Sequence, residues 1–476
     1  MKPFILLAVA VLVVFTTFSV VSVEARKHHN KNKSKPHHDN HQKKRSGNGN
    51  NNNNNNNNNA PPDHDSFVNP SPAPTQSTVF NVLSFGAKGD GVSDDSQAVV
   101  AAWKAACNVS GATLQIPAKL KFLMNPITLQ GPCMPQLLFQ VDGTILGPPR
   151  VGSWPKTSLF QWLNFKWVHD FTIQGSGIVD GQGFDWWTTT PSQVYSIDDQ
   201  ALRFYGSSNV TVRDITIINS PQCHLKFDSS SGVKVENVTI SSPDNSPNTD
   251  GIHLQNTRDV EIHHSNIGCG DDCVSIQTGC SNIHIHHINC GPGHGISLGG
   301  LGKDNTVACV SDILVEEVSL QNTLAGVRIK TWQGGHGSVK NVTFANIEVS
   351  EVKVPIIIDQ YYCDKKLCKN QTGAVAVSGV KYDQIIGTYS VQPIHLACSS
   401  EVPCTDVDLM NIQLKPASLG LGQSRGFPQQ ALCWNSYGKS QAPLVPSSID
   451  YCLRRDGHGG SVSRVIEKSH ERMICL

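Results

Sequence analysis

Four short strings stand out for the chemistry they could do: SPNTDGIH at 246–253, CGDDC at 269–273, GPGHGISLGG at 291–300 and RIKT at 328–331. They carry the carboxylates of Asp250, Asp271 and Asp272, the imidazole of His294 and the cations of Arg328 and Lys330. Three neighbouring carboxylates cannot all ionise cheaply, because each charge raises the pKa of the next. One therefore stays protonated. A proton donor beside ionised partners is what cleavage of a glycosidic bond requires: the donor protonates the leaving oxygen while the others prime water or attack the sugar. His294 can share in that proton balance, since its reference pKa lies near neutrality. Arg328 and Lys330 are two apart, so on a strand both leave the same face, as a fork and a point charge suited to a carboxylate. Asp271 and Asp272 would leave opposite faces of a flat strand, but Gly268 and Gly270 permit a bend that turns both into one cleft.

Each string alone has a plainer reading. An Asp-Asp pair fits a turn, Arg-x-Lys fits a solvated strand face, and the Gly-rich string fits a tight turn. GSG at 175–177 lacks the strand, turn and helix context of a nucleotide site. What separates the four strings from these readings is the repeat in which they sit.

From Val79 onward the chain repeats one phrase: NVTVRDITIINS at 209–220, GVKVENVTISS at 232–242, DVEIHHSNIG at 259–268, NIHIHHINCG at 282–291, DILVEEVSLQN at 312–322 and VKNVTFANIEVS at 339–350. Apolar and polar residues alternate with the strand period. With Val210, Val233, Val260, Ile283, Ile313 and Val342 as equivalents, the steps are 23, 27, 23, 30 and 29 residues. That is too short for a strand, a helix and a return. Two or three short strands per coil fit, each coil stacking on the last so that Val and Ile ladders fill a continuous interior. The expected fold is all-β: a right-handed, single-stranded parallel β-helix, a solenoid. A sandwich or propeller would use more regular spacing and hairpin turns. Weaker phrases at 171–183 and 377–387 extend the solenoid, and DDSQAVVAAWKAAC at 94–107 reads as a short N-terminal capping helix. The four chemical strings fall at a similar phase of successive coils, so stacking makes their side chains neighbours.

Residues 4–22, FILLAVAVLVVFTTFSVVS, follow Lys2 and precede the small Ala25. They read as a secretory signal over 1–25; the alternative, an uncleaved anchor helix, is weakened by the Thr and Ser content. Residues 26–78, with an unbroken Asn run from Asn50 to Asn59, cannot bury a core and are expected to be disordered. His28, His29, His37, His38 and His41 in this segment could bind metal and its Lys/Arg acidic polymer, or it is a solvated spacer. The catalytic domain is then 79–476. Lys+Arg and Asp+Glu balance at 38 each, but residues 1–79 hold nine and four of them, leaving 29 and 34. The folded part is mildly acidic, which gives no support to a nucleic-acid partner.

Fifteen cysteines in an oxidising compartment argue for disulfides, and the odd count leaves at least one unpaired. Cys269 and Cys273 do not form a C-x-x-C and are expected to serve disulfides. Sequons at Asn108, Asn209, Asn237, Asn341 and Asn370 fit the same compartment. Among His263, His264, His284, His286 and His287, His284 and His286 share a strand face and could bind zinc. No carboxylate or Cys completes a recognised ligand spacing, so no metal is expected.

In this order, NTD, GDD, GHG and RIK closely resemble the signature blocks of the plant polygalacturonases, glycoside hydrolase family 28. The resemblance runs from about Val79 to the C-terminus, and FNVLSFGAKGDGVSDDSQAV at 80–99 resembles the start of the plant catalytic domain. It implies a secreted pectinase of the cell wall or apoplast that cleaves α-1,4 bonds of polygalacturonate with inversion, without a cofactor. Carried over, Asp271 is the general acid, Asp250 and Asp272 activate water, and His294 tunes the acid's protonation. Arg328 and Lys330 hold substrate carboxylates. A tyrosine beyond the RIK block also takes part; Tyr361 is the better match and Tyr362 the alternative. The resemblance further implies disulfides Cys273–Cys290 and Cys398–Cys404. A monomer is expected, with pectin as its partner and no membrane contact after signal removal. The His/Lys/Asn segment departs from the family pattern. Two other readings are a calcium-dependent pectate lyase, also a β-helix, and a non-catalytic wall-binding β-helix.

Overall fold

The computed structural model describes residues 78–154, 161–189, 200–363, 368, 370–418, 429–454 and 475. The expected signal, and all but the last residue of the segment expected to be disordered, lie outside them.

The chain winds as a right-handed parallel β-helix whose strands pair with their counterparts one coil away. The clearest sign is one wall of eleven strands, from Ile127–Gln130 at one end to Leu432–Trp434 at the other, in which spatial order follows chain order. Every coil adds one strand. The other walls carry the repeated phrase, and their register joins Val210 to Val233, Val233 to Val260, Val260 to Ile283, Ile283 to Ile313 and Ile313 to Val342. These are the equivalences that the alternation predicts.

The interior is built from these ladders. Val210, Val233, Val260, Ile283, Ile313 and Val342 are all at most 3% exposed, and each such side chain stabilises by roughly 1.5–3 kcal/mol relative to an exposed one. Toward the N-terminal end the ladder turns aromatic: Phe204 stacks between Phe165 and Phe227 with ring centroids 5.0 Å from each. Aligned coils place like residues above one another, so planar rings stack without searching for partners. The expected cap is present as the helix Ser96–Ala106, whose buried Trp103 meets Phe171 edge-on at 5.4 Å.

The coils bend at residues in left-handed backbone conformation rather than at hairpins. Asn209, Asn237, Asn282 and Asn341 have φ near +50°, which short polar side chains tolerate better than others. Asn237, Asn282 and Asn341 each donate to the aspartate one coil earlier, Asp214, Asp259 and Asp312, at 2.8, 2.7 and 2.6 Å. The Asn-rich connections are therefore corners of the solenoid. All five sequon asparagines named above are exposed.

Six disulfides form: Cys107–Cys133, Cys273–Cys290, Cys309–Cys475, Cys363–Cys368, Cys398–Cys404 and Cys433–Cys452. Cys223, Cys269 and Cys280 are buried thiols. The expectation that Cys269 serves a disulfide is corrected: Cys273 takes Cys290 from the next coil, which leaves Cys269 as a small apolar core residue.

Candidate active site

The site lies on the eleven-stranded wall. Backbone bonds fix its register: Gly251 N–H donates to the Asp272 carbonyl at 2.9 Å, Cys273 N–H to Gly295 at 2.8 Å and His294 N–H to Asp271 at 2.7 Å. Asp250, Asp272 and His294 therefore stand at corresponding positions of three successive coils, and Asp271 one residue earlier. Arg328 pairs with Ser297, three residues beyond His294, and Lys330 lies two further on. The cations are thus offset from the acids and reach back along the wall.

Asp271 and Asp272 precede the strand Val274–Ile276 and sit in a bend. Asp271 Oδ1 accepts from the Asp272 backbone N–H at 2.9 Å, which turns the two side chains away from strand alternation. Gly270 is required there for closeness: a Cβ at this position would lie 1.9 Å from the Ser246 carbonyl oxygen. The Cys273–Cys290 disulfide anchors the far side of the bend.

Asp272 is 2% exposed, and both its oxygens are occupied. Oδ1 accepts from Arg328 Nη2 at 2.6 Å and Ser297 Oγ at 2.7 Å, and Oδ2 from Lys330 Nζ at 2.9 Å. Burial alone would raise its pKa, but Lys330, Arg328 and the hydrogen bonds outweigh it and hold the carboxyl well below the usual range. The same pairing keeps Lys330 and Arg328 charged against the opposing effect of burial. The two-pronged clamp expected for a substrate carboxylate is closed on Asp272, because a buried charge without partners would be far costlier.

Asp250 has the opposite fate. Burial, reinforced by the charges of Asp271 and Asp272, pushes its carboxyl well above the usual value. Its Oδ2 lies 2.8 Å from Nδ1 of His253, a ring whose pKa burial, reinforced by the charge of Lys226, holds down to about 3. Asp271 is the most exposed of the three acids, at 22% of its side chain, and its Oδ1 lies 2.8 Å from His294 Nδ1.

These groups open onto a cleft of about 610 Å³. Asp250, Asp271, Asp272 and Lys330 line it together with Lys226, Lys303, His253, Gln222, Trp332 and Tyr362. Neither Arg328 nor His294 is among the lining residues. Tyr362, the sequence alternative, faces the cleft beneath Lys330, whose Nζ is 5.4 Å from the ring centroid, whereas Tyr361 packs toward Trp434 at 6.4 Å. One residue of strand register reverses the face. The repeat gave no prominence to His253, Lys226 or Trp332. His253 could have been found three residues after Asp250; the others carry no local signal, since only stacking brings them to the cleft.

A solenoid wall presenting three carboxylates, an imidazole and several lysines in one groove defines a glycoside-cleaving β-helix. Residues 107–433 match the family profile of the glycosyl hydrolases family 28, and the chain belongs to that family. It is 42% identical to a polygalacturonase of Chamaecyparis obtusa, over 78% of this chain and 72% of that protein. It is 38% identical to polygalacturonase-2 of Solanum lycopersicum, over 79% and 82% respectively. Among solved structures, it resembles an endo-xylogalacturonan hydrolase of Aspergillus tubingensis (TM-score 0.65, 22% identity, 76% of this chain and 98% of that one). A polygalacturonase of Erwinia carotovora has a similar fold (TM-score 0.62, 20% identity, 79% and 100%).

Proposed function

We propose that the protein is a secreted polygalacturonase that hydrolyses α-1,4 bonds of unesterified polygalacturonate by direct attack of water, with inversion. The observation that carries this reading is the convergence of Asp250, Asp271 and Asp272 in a cleft lined by Lys226, Lys303 and Lys330. Acids supply the proton and prime the water; lysines attract a polyanion. The family strings and the printed names of the relatives support the same substrate.

In this mechanism Asp271 protonates the leaving oxygen, held by His294, while Asp250 and Asp272 orient and deprotonate the water. Burial favours the protonated form of Asp250, so its role beside Asp272 requires that its proton be given up before the water is attacked. Arg328 acts through Asp272, keeping it ionised. Lys330, Lys226, Lys303 and Tyr362 contact sugar carboxylates and rings. The apolar segment 4–22 and the six disulfides support action outside the cell, where the reading places a monomeric enzyme on wall pectin.

The test is product analysis on polygalacturonate. Saturated reducing ends, indifference to a calcium chelator and silence of Asp271→Asn are expected, and early products should carry the inverted anomer by NMR. Unsaturated, ultraviolet-absorbing ends would establish a lyase instead; binding without new reducing ends would establish a scaffold. Culture medium should hold the protein, and light scattering should give one chain.

A further inference from the structure

On the walls that carry the repeated phrase, away from the cleft, two adjacent coils present a block of histidines. His263 and His264 lie on the strand Arg258–Gly268, and His284, His286 and His287 on Cys280–Cys290. Their register pairs His263 with His286. The rings stack accordingly, His263 on His286 with centroids 5.0 Å apart and His264 on His287 at 4.6 Å.

The nitrogens are arranged unusually. His286 Nδ1 and His287 Nδ1 face each other at 2.8 Å, and His263 Nδ1 and His264 Nδ1 at 2.7 Å. On the far side of three of these rings stands a carboxylate: Glu317 Oε2 is 2.6 Å from His287 Nε2, Glu261 Oε1 3.4 Å from His286 Nε2 and Glu236 Oε2 3.4 Å from His263 Nε2. A carboxylate draws the ring proton to Nε2 and leaves Nδ1 as a lone pair. In the His286–His287 pair the two Nδ1 atoms, 2.8 Å apart, are then the ring nitrogens left to meet a proton or a metal ion placed between them.

We propose that this block is a binding site for a divalent transition-metal ion of the zinc, copper or nickel type. One ring nitrogen from each of His264, His286 and His287 lies within 4.8 Å of the other two, and Glu261, His284 and His286 form a second set of the same span that shares His286. Imidazole donors suit these metals, and bonds of about 2.0–2.1 Å place two tetrahedral ligand nitrogens roughly 3.3 Å apart, a small opening from 2.8 Å. His264 and His287 are exposed, so water can complete the coordination. Glu317 and Glu261 provide the outer carboxylates that orient ligating histidines. This proposal departs from the expectation of no metal, which rested on linear ligand spacing; the donors come from two coils and the carboxylates from three, so no linear spacing displays them.

The test is equilibrium dialysis of the full-length protein against Zn²⁺, comparing wild type with His286→Ala, which removes the ligand common to both sets. Wild type should retain one equivalent more than the variant. The histidines at 28, 29, 37, 38 and 41 are unchanged and cancel in the difference. Glu317→Gln should keep the stoichiometry but weaken that equivalent about 10- to 100-fold. Metal-free His286→Ala should keep the wild-type circular dichroism spectrum and unfolding midpoint, which certifies its fold; should it fail to fold, His287→Gln gives the same stoichiometric test. Equal zinc uptake by wild type and the folded variant would overturn the proposal, whatever the fate of the assigned activity.

Discussion

Lys330 Nζ lies 2.9 Å from Asp272 Oδ2 although 58 residues separate the two in the chain. Together with Arg328 it neutralises a carboxylate that is almost wholly removed from water. The cationic strand is thus part of the acid site's own construction, and only the surface of Lys330 that faces the cleft remains for substrate.

Removing Lys330 should therefore weaken fold and activity together. Lys330→Met is expected to cost roughly 3–5 kcal/mol, the usual penalty for leaving one partner of a buried pair alone. Chemical denaturation measures it. Adding Asp272→Asn should restore most of the stability but none of the hydrolysis; a double variant as unstable as the single one would show that the ion pair is not the stabilising element.

The three acids should separate kinetically. Asp271→Asn and Asp250→Asn are each expected to lower kcat about 10²- to 10⁴-fold on polygalacturonate. An aryl galacturonide whose leaving group needs no protonation should rescue Asp271→Asn alone. Rescue of Asp250→Asn instead would exchange the two roles.

Asp250 and Asp272 should act on stability with opposite signs. Asp272 is held below its unfolded value of about 3.9, so its contribution is complete above that pH and drains away as the pH falls further. Asp250 is held above that value, so the folded chain binds its proton more tightly and loses stability as the pH rises from about 4 through the raised pKa. Asp250→Asn should be more stable than wild type at pH 7 and indistinguishable from it near pH 3. Unfolding midpoints across this range give the answer.

The Cys273–Cys290 bridge closes a loop of 17 residues beside the acids. Cys290→Ser should cost about 3 kcal/mol by loss of the loop constraint. Calorimetry checks it, and a larger fall in kcat than the unfolded fraction explains would locate the effect at the Asp271–Asp272 bend.

Much of this was legible in the chain itself. Alternation marked the strands, the recurring step between Val210 and Val342 marked the coils, and equal phase announced that Asp250, Asp272 and His294 would be neighbours. These features are local or periodic, so a linear reading reaches them. What tertiary structure decided is everything that depends on distance and burial across coils. It closed Arg328 and Lys330 on Asp272, split the proton affinities of Asp250 and Asp272, chose Tyr362 for the cleft and set Glu317 behind His287. Such relations arise from stacking and from water exclusion, and neither is a property of the order of residues alone.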